Sequence, residues 1–325
     1  MTLGDAFQSP RSQNLNLLRL LLAMSVILSH AWPLALGPGT LEPLELLTGR
    51  SLGGWAVGVF FFISGMLITA SAARTSPRAF WIARAKRILP GLSLALFVTL
   101  ALALSSGSTV MAPEAATWFL RAITLISIEH RLPDAFASNP YPEVVNGPLW
   151  SLSHEVFAYV ICASFVWIGG ARRPHIVWLL VLLASTMCLM QDYMSGRLAT
   201  FAPLFCAFSF GVAAYIWRDK ICLQPASIAG IILLAAVLPQ GLAAGVVGLG
   251  LVALMLRLPR MRLKSDASYG LYIYGWPIAQ MIVACHPGIA PLHLGVTSIL
   301  ATYPMALLSW HLVEQPNRVP HRTMA

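Results

Sequence analysis

Charged residues are scarce in this sequence. Only 10% of its 325 residues are Asp, Glu, Lys or Arg, whereas a soluble globular domain carries about 25%. Hydrophobic residues make up 58% of the chain, and they cluster in runs near the ~20-residue length that spans a hydrocarbon core. The shortage of charge therefore excludes a soluble domain and predicts a polytopic membrane protein.

Cysteine is also scarce, and its spacing excludes two common uses. None of the five cysteines belongs to a C-x-x-C pair, the spacing typical of zinc sites and redox motifs. Most of them lie in apolar runs, so we predict small buried side chains and neither disulfides nor a metal site. The five are Cys162, Cys188, Cys206, Cys222 and Cys285.

Acidic residues are outnumbered, with 12 Asp and Glu against 21 Lys and Arg and a net charge of +9. The basic residues are not interleaved with aromatic rings that would stack on bases, so we predict no nucleic-acid partner. Apart from Arg19, they fall in the two tails and in the connections between the apolar runs, sixteen on one side and four on the other. Because positively charged loops stay cytoplasmic, this asymmetry predicts cytoplasmic termini and an even number of spans.

Ten apolar segments meet that requirement. We predict an all-α fold, a polytopic helical bundle of about ten transmembrane helices that forms a single membrane-embedded domain over 1–325, with no appended periplasmic domain. The pair 225–240 and 243–257 is short, and its Pro239-Gln240-Gly241 turn also suits a re-entrant pair. The predicted spans are 15–36, 53–73, 88–107, 149–169, 175–192, 198–217, 225–240, 243–257, 267–285 and 293–313.

The first span carries two ionisable residues, Arg19 and His30. Eleven positions is close to three helical turns, so both side chains emerge from one face about 16 Å apart. A charge at this depth costs at least ~2.5 kcal/mol on insertion scales, and such residues usually face a protein interior or a wet cavity. The pattern favours a functional stripe. The alternative is that Arg19 snorkels to the headgroups and that His30 bonds a neighbouring helix.

Two further motifs follow the first span. Ser64 and Gly65 come directly after a run of aromatic residues, which indicates either a substrate-proximal patch or a close contact between helices. Arg84 and Arg87 lie one turn apart in the densest basic cluster of the chain. Together they form a fork suited to phosphate, although topology alone also predicts basic residues there.

The longest connection, 108–148, is predicted to lie outside the membrane, where it would shape an acceptor site. It ends in a Gly-Pro turn that opens a helix with Glu155 at membrane depth. A carboxylate at that depth needs a partner. Arg19 and His30 are the two partners that the sequence suggests.

In combination these motifs resemble membrane acyltransferase family 3, bacterial O-acyltransferases that modify surface polysaccharides and other hydroxylated acceptors. The resemblance covers nearly the whole chain. One departure is Gly275, because many members have a histidine at this place before Trp276-Pro277. The matching residues are Arg19 and His30; Phe61, Phe62, Ser64 and Gly65; Arg84, Arg87 and Pro90; Gly147, Leu149, Trp150, Ser151, Leu152 and Glu155; Ser268, Tyr269 and Tyr272; Glu314 and Pro316.

The resemblance implies an O-acetyltransferase of the bacterial cytoplasmic (inner) membrane. Its co-substrate would be acyl-CoA, most often acetyl-CoA, with no permanently bound cofactor and no metal. Its acceptor would be a carbohydrate, free or lipid-linked. A hydroxyl that attacks a thioester needs a base, and a neutral imidazole suits this role near pH 7. We therefore assign the base to His30, with Glu155 expected to orient the imidazole or to pair with Arg19.

The remaining roles follow from the same resemblance. Arg19, Arg84 and Arg87 are expected to bind the donor. Ser64 would be the nucleophile if an acyl-enzyme formed, but direct transfer is favoured because no base is adjacent to it in sequence. A transporter or flippase and a non-catalytic sensor are the alternative functions, although no internal repeat supports a transporter. The expected substrate-proximal residues are Ser64, Gly65, Trp150, Ser151, Tyr269 and Tyr272.

Overall fold

The computed structural model describes residues 1–125 and 128–317, and a helix covers each of the ten predicted spans. Among the described residues, two shorter α-helices lie in connections between the spans, and one precedes the first span. A π-helical turn, Trp310–Glu314, joins the last span to a final short helix. The α-helices are α1 (Leu3–Gln8), α2 (Asn14–Leu36), α3 (Pro43–Thr48), α4 (Leu52–Ala72), α5 (Pro77–Ser105), α6 (Ala112–Thr124), α7 (Trp150–Trp167), α8 (Pro174–Leu189), α9 (Gly196–Ile216), α10 (Pro225–Val237), α11 (Gln240–Arg257), α12 (Ser268–Cys285), α13 (Pro291–Ser309) and α14 (Gln315–Asn317).

Six helical stretches among the described residues are long and apolar enough to cross a membrane. They are Pro10–Leu36, Leu52–Ala72, Pro77–Ser105, Gly147–Trp167, Gly196–Ile216 and Pro291–Asn317. Three shorter apolar helices cover Pro174–Leu189, Pro225–Ala235 and Gly241–Arg257. The prediction of an all-α membrane protein is confirmed. The count of ten spans and the side of the termini stay predictions.

Contacts between backbone segments divide the chain into two compact units. Unit 1 comprises 1–22, 54–77 and 154–264, and unit 2 comprises 23–53, 78–153 and the chain from 265 onward. Helix α2 contributes its first half to unit 1 and its second half to unit 2. As a consequence, Arg19 belongs to unit 1 and His30 to unit 2.

In unit 1, α4 and α9 approach each other closely at two glycines. A Cβ added to Gly65 would overlap the carbonyl oxygen of Phe208 and lie 3.1 Å from the amide nitrogen of Val212. A Cβ added to Gly211 would overlap the carbonyl oxygen of Phe62 and lie 3.1 Å from the amide nitrogen of Met66. Small residues let helix backbones approach in this way inside membranes. Gly65 therefore has the packing role that the sequence left open.

The start of α2 is attached to the end of α11 through the fully buried Asn14. Its side-chain amide donates to the carbonyls of Met255 at 2.9 Å and Pro259 at 3.0 Å, and its Oδ1 accepts from the amide of Met261 at 2.8 Å. A buried amide side chain with these bonds is satisfied at both ends. This anchor sets the position of Arg19, which lies little more than one turn further along α2.

In unit 2, the second half of α2 packs against α12 and α13. Ala31, Leu34 and Ala35 share one buried cluster with Trp276 of α12 and Leu294 of α13. Apolar burial of this kind, together with van der Waals packing, positions a helix whose polar residues are few. The cluster holds α2 at the level of His30.

The five cysteines are free thiols, and two of them differ from the prediction. Cys162, Cys188 and Cys206 are buried as predicted, but Cys222 and Cys285 are exposed. The burial prediction was wrong for these two because both lie at helix ends. Cys222 precedes α10 and Cys285 is the last residue of α12.

Candidate functional site

In unit 2, the imidazole of His30 lies against the indole of Trp276. The two ring centroids are 5.0 Å apart and the ring planes meet at 74°, an edge-to-face arrangement that fixes the orientation of both rings. Trp276 is buried, with 6% of its surface exposed. Its indole nitrogen donates to the Val144 carbonyl at 2.8 Å, so the surface that faces His30 is held in place.

Gly275, the position at which the sequence departs from the family pattern, lies against α2. A Cβ at this position would come within 2.6 Å of Cγ1 of Ile27, a distance that Cβ atoms do not adopt. Helix α12 therefore passes close to α2 one turn before His30. Close helix approach takes the space that a side chain at position 275 would need.

The long connection 108–148 is tied to α12 by a second set of buried bonds. Gln280 donates through Nε2 to the carbonyls of Tyr141 at 2.7 Å and Val144 at 2.9 Å. Asn139 donates to the Gln280 side chain at 2.8 Å. Asn139 and Gln280 are both buried, and these bonds satisfy their polar atoms and attach the segment around Val144 to α12.

The start of α7 is fixed from α12. Ser151 and Tyr272, two predicted substrate-proximal residues, have their hydroxyl oxygens 2.5 Å apart. The Tyr272 hydroxyl also donates to the Pro148 carbonyl at 2.9 Å. Asn146, which is fully buried, donates to the Ile273 carbonyl at 2.9 Å. Sequence reasoning did not single out Asn146, although its place directly before the Gly-Pro turn was a signal.

The predicted donor arginines lie at the start of α5. A terminal nitrogen of Arg87 is 4.0 Å from the carboxylate of Asp266, and the guanidinium of Arg84 lies 5.9 Å from the Phe80 ring centroid. The hydroxyl of Tyr269, a third predicted site residue, donates to the Ile88 carbonyl at 3.0 Å. The structure thus joins the arginine motif to the residues before and within α12. Trp150, another predicted substrate-proximal residue, is 38% exposed.

In unit 1, the carboxylate of Glu155 accepts two hydroxyl hydrogen bonds. Ser64 of α4 donates to Oε1 at 2.6 Å, and Tyr159, one turn further along α7, donates to the same oxygen at 2.5 Å. The sequence suggested Arg19 or His30 as partner, and the pairing with Arg19 stays a prediction. Tyr159 was missed, although its i+4 spacing from Glu155 was a signal. His30 belongs to the other unit, so its pairing with Glu155 stays a prediction.

Unit 1 also contains a cavity of about 640 Å³ with three arginines in its wall. No acidic residue is among the described residues that line it. Arg19 comes from α2, while Arg74 and Arg218 lie in segments predicted to be cytoplasmic. The lining residues are Phe7, Gln8, Ser12, Leu15, Asn16, Arg19, Leu67, Arg74, Tyr215 and Arg218.

The arginines of this cavity are held by short-range contacts. Arg218 lies 4.5 Å from the Tyr215 ring centroid and donates to the Tyr215 carbonyl at 2.9 Å. Its other contact is Asp219, at 3.7 Å, a carboxylate that is 66% exposed. Exposed pairs of this kind are weak. Arg74 donates through Nε to the Ala70 carbonyl at 3.0 Å. A cavity with this wall attracts anions, phosphates in particular.

The fold and these sites define a class, a helical membrane protein that combines an arginine-lined cavity with an oriented intramembrane histidine. Among the described residues, no group of three or more His, Cys, Asp or Glu side chains is placed to hold a metal ion. The chain belongs to the acyltransferase family 3, because the model of that family, an acyltransferase domain, matches residues 12–313. It is therefore an acyltransferase, as the resemblance predicted.

Two characterised proteins are similar over nearly their whole lengths. An O-acetyl transferase of Shigella phage Sf6 is 30% identical over 322 residues, covering 91% of this chain and 93% of the relative. Nodulation protein 10 of Rhizobium leguminosarum bv. viciae is 26% identical over 360 residues, covering 96% of this chain and 95% of the relative. No solved structure matches.

Proposed function

We propose that the protein is an O-acetyltransferase that moves an acetyl group from cytoplasmic acetyl-CoA to a hydroxyl of a carbohydrate acceptor, free or lipid-linked, in the bacterial inner membrane. The observation that carries the proposal is the arginine-lined cavity of unit 1 in a chain of an acyltransferase family. The phage relative, named an O-acetyl transferase, supports both the acetyl group and an oxygen acceptor.

The cavity suits the phosphorylated part of coenzyme A. Its volume of about 640 Å³ lies within the range of about 300–1,000 Å³ that small-molecule sites occupy. Three guanidinium groups match the several negative charges of that nucleotide, and guanidinium groups can bind phosphate oxygens in a bidentate way. Arg19, predicted as a donor ligand, is in this wall. Arg74 and Arg218 are the donor residues that sequence reasoning attributed to topology alone.

Arg84 and Arg87 were also predicted to bind the donor. In unit 2 the nearby Asp266 already offsets part of the charge of Arg87. A buried carboxylate beside a guanidinium favours a structural role, because removal of either group would leave the other uncompensated. We therefore propose the unit 1 cavity as the main phosphate site, and Arg84 and Arg87 as a secondary one.

His30 is proposed as the general base. In direct transfer, the acceptor hydroxyl oxygen attacks the thioester carbonyl carbon while His30 takes the hydroxyl proton. The carbon–sulfur bond then breaks, and the proton passes from the imidazolium to the departing CoA thiolate. The edge contact with Trp276 supports this role because it restricts the imidazole to one orientation.

Glu155 and Ser64 support a second route less well. A serine hydroxyl that donates to a carboxylate at 2.6 Å has an acceptor for its proton, as an acyl-enzyme would require. The same carboxylate oxygen, however, also accepts from Tyr159, so a second hydroxyl already occupies it. We propose that Glu155 fixes α4 against α7 by these bonds and that transfer is direct.

The test measures transfer of labelled acetyl from acetyl-CoA to glycan extracted from the envelope of cells that lack this protein. Arg74→Ala and Arg218→Ala should each raise the KM for acetyl-CoA about fivefold, because each removes about 1 kcal/mol from an exposed charge-assisted contact. Arg172→Ala is the matched control, an exposed arginine of unit 1 outside the cavity wall.

Binding measurements on purified protein separate the roles of the two residues of α2. His30→Ala should abolish transfer and leave the affinity for CoA nearly intact, whereas Arg19→Ala should weaken CoA binding. Equal loss of CoA affinity in both variants would contradict this division. Absence of acetyl transfer by the wild-type protein, with movement of the glycan across vesicles, would support a flippase instead.

A further inference from the structure

A second cavity lies in unit 2, between α6 and the segment that follows it. It has a volume of about 360 Å³ and belongs to the connection predicted to lie outside the membrane. Its wall has two carboxylates, two guanidinium groups and one indole. The lining residues are Val110, Pro113, Glu114, Thr117, Trp118, Arg121, Glu129, Arg131, Leu132 and Pro133.

Three of the four charged groups of this wall make hydrogen bonds within the chain. Oε1 of Glu129 accepts from the backbone amides of His130 at 3.0 Å and Arg131 at 3.1 Å. Glu114 accepts from the amide of Met111 at 3.2 Å, and Arg131 donates to Glu143 at 3.3 Å. Groups ordered in advance lose less entropy when a ligand binds.

Trp118 adds an apolar ring to these polar groups. It is 4% exposed, and its indole N–H has no hydrogen-bond acceptor within 1–125 and 128–317. A buried indole nitrogen normally has a partner. Among the described residues, the N–H of this cavity-lining indole is therefore a buried donor whose hydrogen bond is not made.

The charged groups in the wall of this second cavity indicate which class of ligand it suits. The cavity of unit 1 has three arginines and suits an anion, whereas this one has equal numbers of carboxylates and guanidinium groups. Sugar hydroxyls donate and accept at once, so a neutral sugar matches a wall that offers both kinds of partner. Its carbon-bound hydrogens pack against an aromatic ring. The volume is sufficient for one or two sugar rings.

Backbone bonds connect this cavity to the segment beside His30. Arg131 and Val144 form an antiparallel bridge, and the amide of Leu132 donates to the Glu143 carbonyl at 3.0 Å. The Val144 carbonyl in turn accepts from Trp276, the residue whose ring contacts His30. Hydrogen bonds within unit 2 thus connect the wall of the cavity to Trp276, whose ring contacts the proposed base.

We propose that this cavity is the acceptor subsite, which binds a neutral sugar residue of the glycan next to the one that is acetylated. The proposal rests on the proposed function, because it assigns the acceptor of that reaction to a place. It adds four site residues that no motif marks, namely Glu114, Trp118, Arg121 and Glu129.

The kinetic test varies the envelope glycan at saturating labelled acetyl-CoA, with the full-length protein in nanodiscs. Glu129→Gln and Arg121→Ala should each raise the KM for the glycan about tenfold, because a ligand hydroxyl loses a charged partner. The kcat and the KM for acetyl-CoA should stay within twofold. The matched controls are Glu45→Gln and Arg50→Ala, which lie in another predicted external segment and should leave the glycan KM unchanged.

A labelling experiment provides a readout without turnover. In a Cys222→Ser, Cys285→Ser background, Thr117→Cys should react with a membrane-impermeant maleimide, and the envelope glycan should slow that reaction at least threefold. Leu47→Cys, which replaces an exposed residue of α3, should react equally with and without glycan.

The outcomes separate the two proposals. Acetyl transfer with an unchanged glycan KM in Glu129→Gln and Arg121→Ala, and no protection of Thr117→Cys, would overturn the acceptor subsite alone. Absence of any acetyl transfer by the wild-type protein would overturn the proposed function, and the subsite with it.

Discussion

Replacement of Gly65 by alanine tests the closest helix contact of unit 1. The added Cβ would overlap the Phe208 carbonyl oxygen and lie 3.0 Å from the carbonyl carbon and 3.1 Å from the Val212 amide nitrogen. Ordinary contacts of a Cβ begin near 3.4 Å. Both neighbours are backbone atoms of a helix, so no side-chain rotation relieves the overlap. Helices α4 and α9 must separate by a few tenths of an ångström or more.

The energetic cost follows from two opposing effects. Overpacking of a close-packed interior costs about 1–3 kcal/mol, and the rigid backbone neighbour favours the upper end of that range. Alanine in place of glycine within a helix regains about 0.5–1 kcal/mol. The net loss in the free energy of unfolding is therefore about 2 kcal/mol, which for a chain of 325 residues corresponds to a fall of roughly 3 °C in the unfolding temperature.

The assay is thermal unfolding of the purified protein in detergent, followed by tryptophan fluorescence, together with acetyl transfer. Ser64 is adjacent to Gly65 and donates to Glu155 at 2.6 Å, so displacement of α4 should also weaken this bond. Gly230→Ala is the control, because no heavy atom lies within 4 Å of its added Cβ.

A second variant tests whether the contact is shared. Gly211 faces α4 from α9 in the same way, so one separation of the helices relieves both overlaps. The double variant Gly65→Ala, Gly211→Ala should therefore lose clearly less than the sum of the single losses. An unfolding temperature of Gly65→Ala within 1 °C of the wild type, or additive losses in the double variant, would refute the close approach of α4 and α9.

Two further predictions concern orientation and the second arginine pair. Cysteines placed in 40–48 or 130–140 should react with an impermeant thiol reagent on intact cells, while one in 76–80 should not, because the basic segments stay inside; reaction at 76–80 would reverse the orientation. Arg84→Ala and Arg87→Ala should each raise the KM for acetyl-CoA more than the KM for the glycan. The rise in the KM for acetyl-CoA should be smaller than the rise that Arg74→Ala causes. If the KM for acetyl-CoA is unchanged at normal protein levels, this pair has only a structural role.

Local patterns in the sequence predicted the helices well. Each apolar run that was predicted to span is covered by a helix, because backbone polar groups in a bilayer can be satisfied only within the helix itself. Hydropathy and the placement of basic residues are properties of short segments. The helices could therefore be predicted without knowledge of tertiary contacts. The same is true of the motifs that indicated an acyltransferase.

Contacts between residues far apart in the sequence could not be predicted in the same way. The sequence did not indicate the two hydroxyls that donate to Glu155, one of them from Ser64, 91 positions away. Arg74 and Arg218 were counted as topology signals, and only the tertiary structure brings them to one cavity with Arg19. A basic residue in a cytoplasmic loop has the same sequence signature whether it faces water or a ligand.

The sequence by itself determined the class of this protein, because insertion in a membrane depends on the polarity of each segment. The tertiary structure decided which polar groups meet. Trp276 donates to Val144 across 132 positions, and Gly65 and Gly211 approach backbone atoms of each other's helices. Such pairs depend on how the helices pack. The packing of helices depends on the shape of their surfaces and on the distance between them, and a local sequence pattern contains neither.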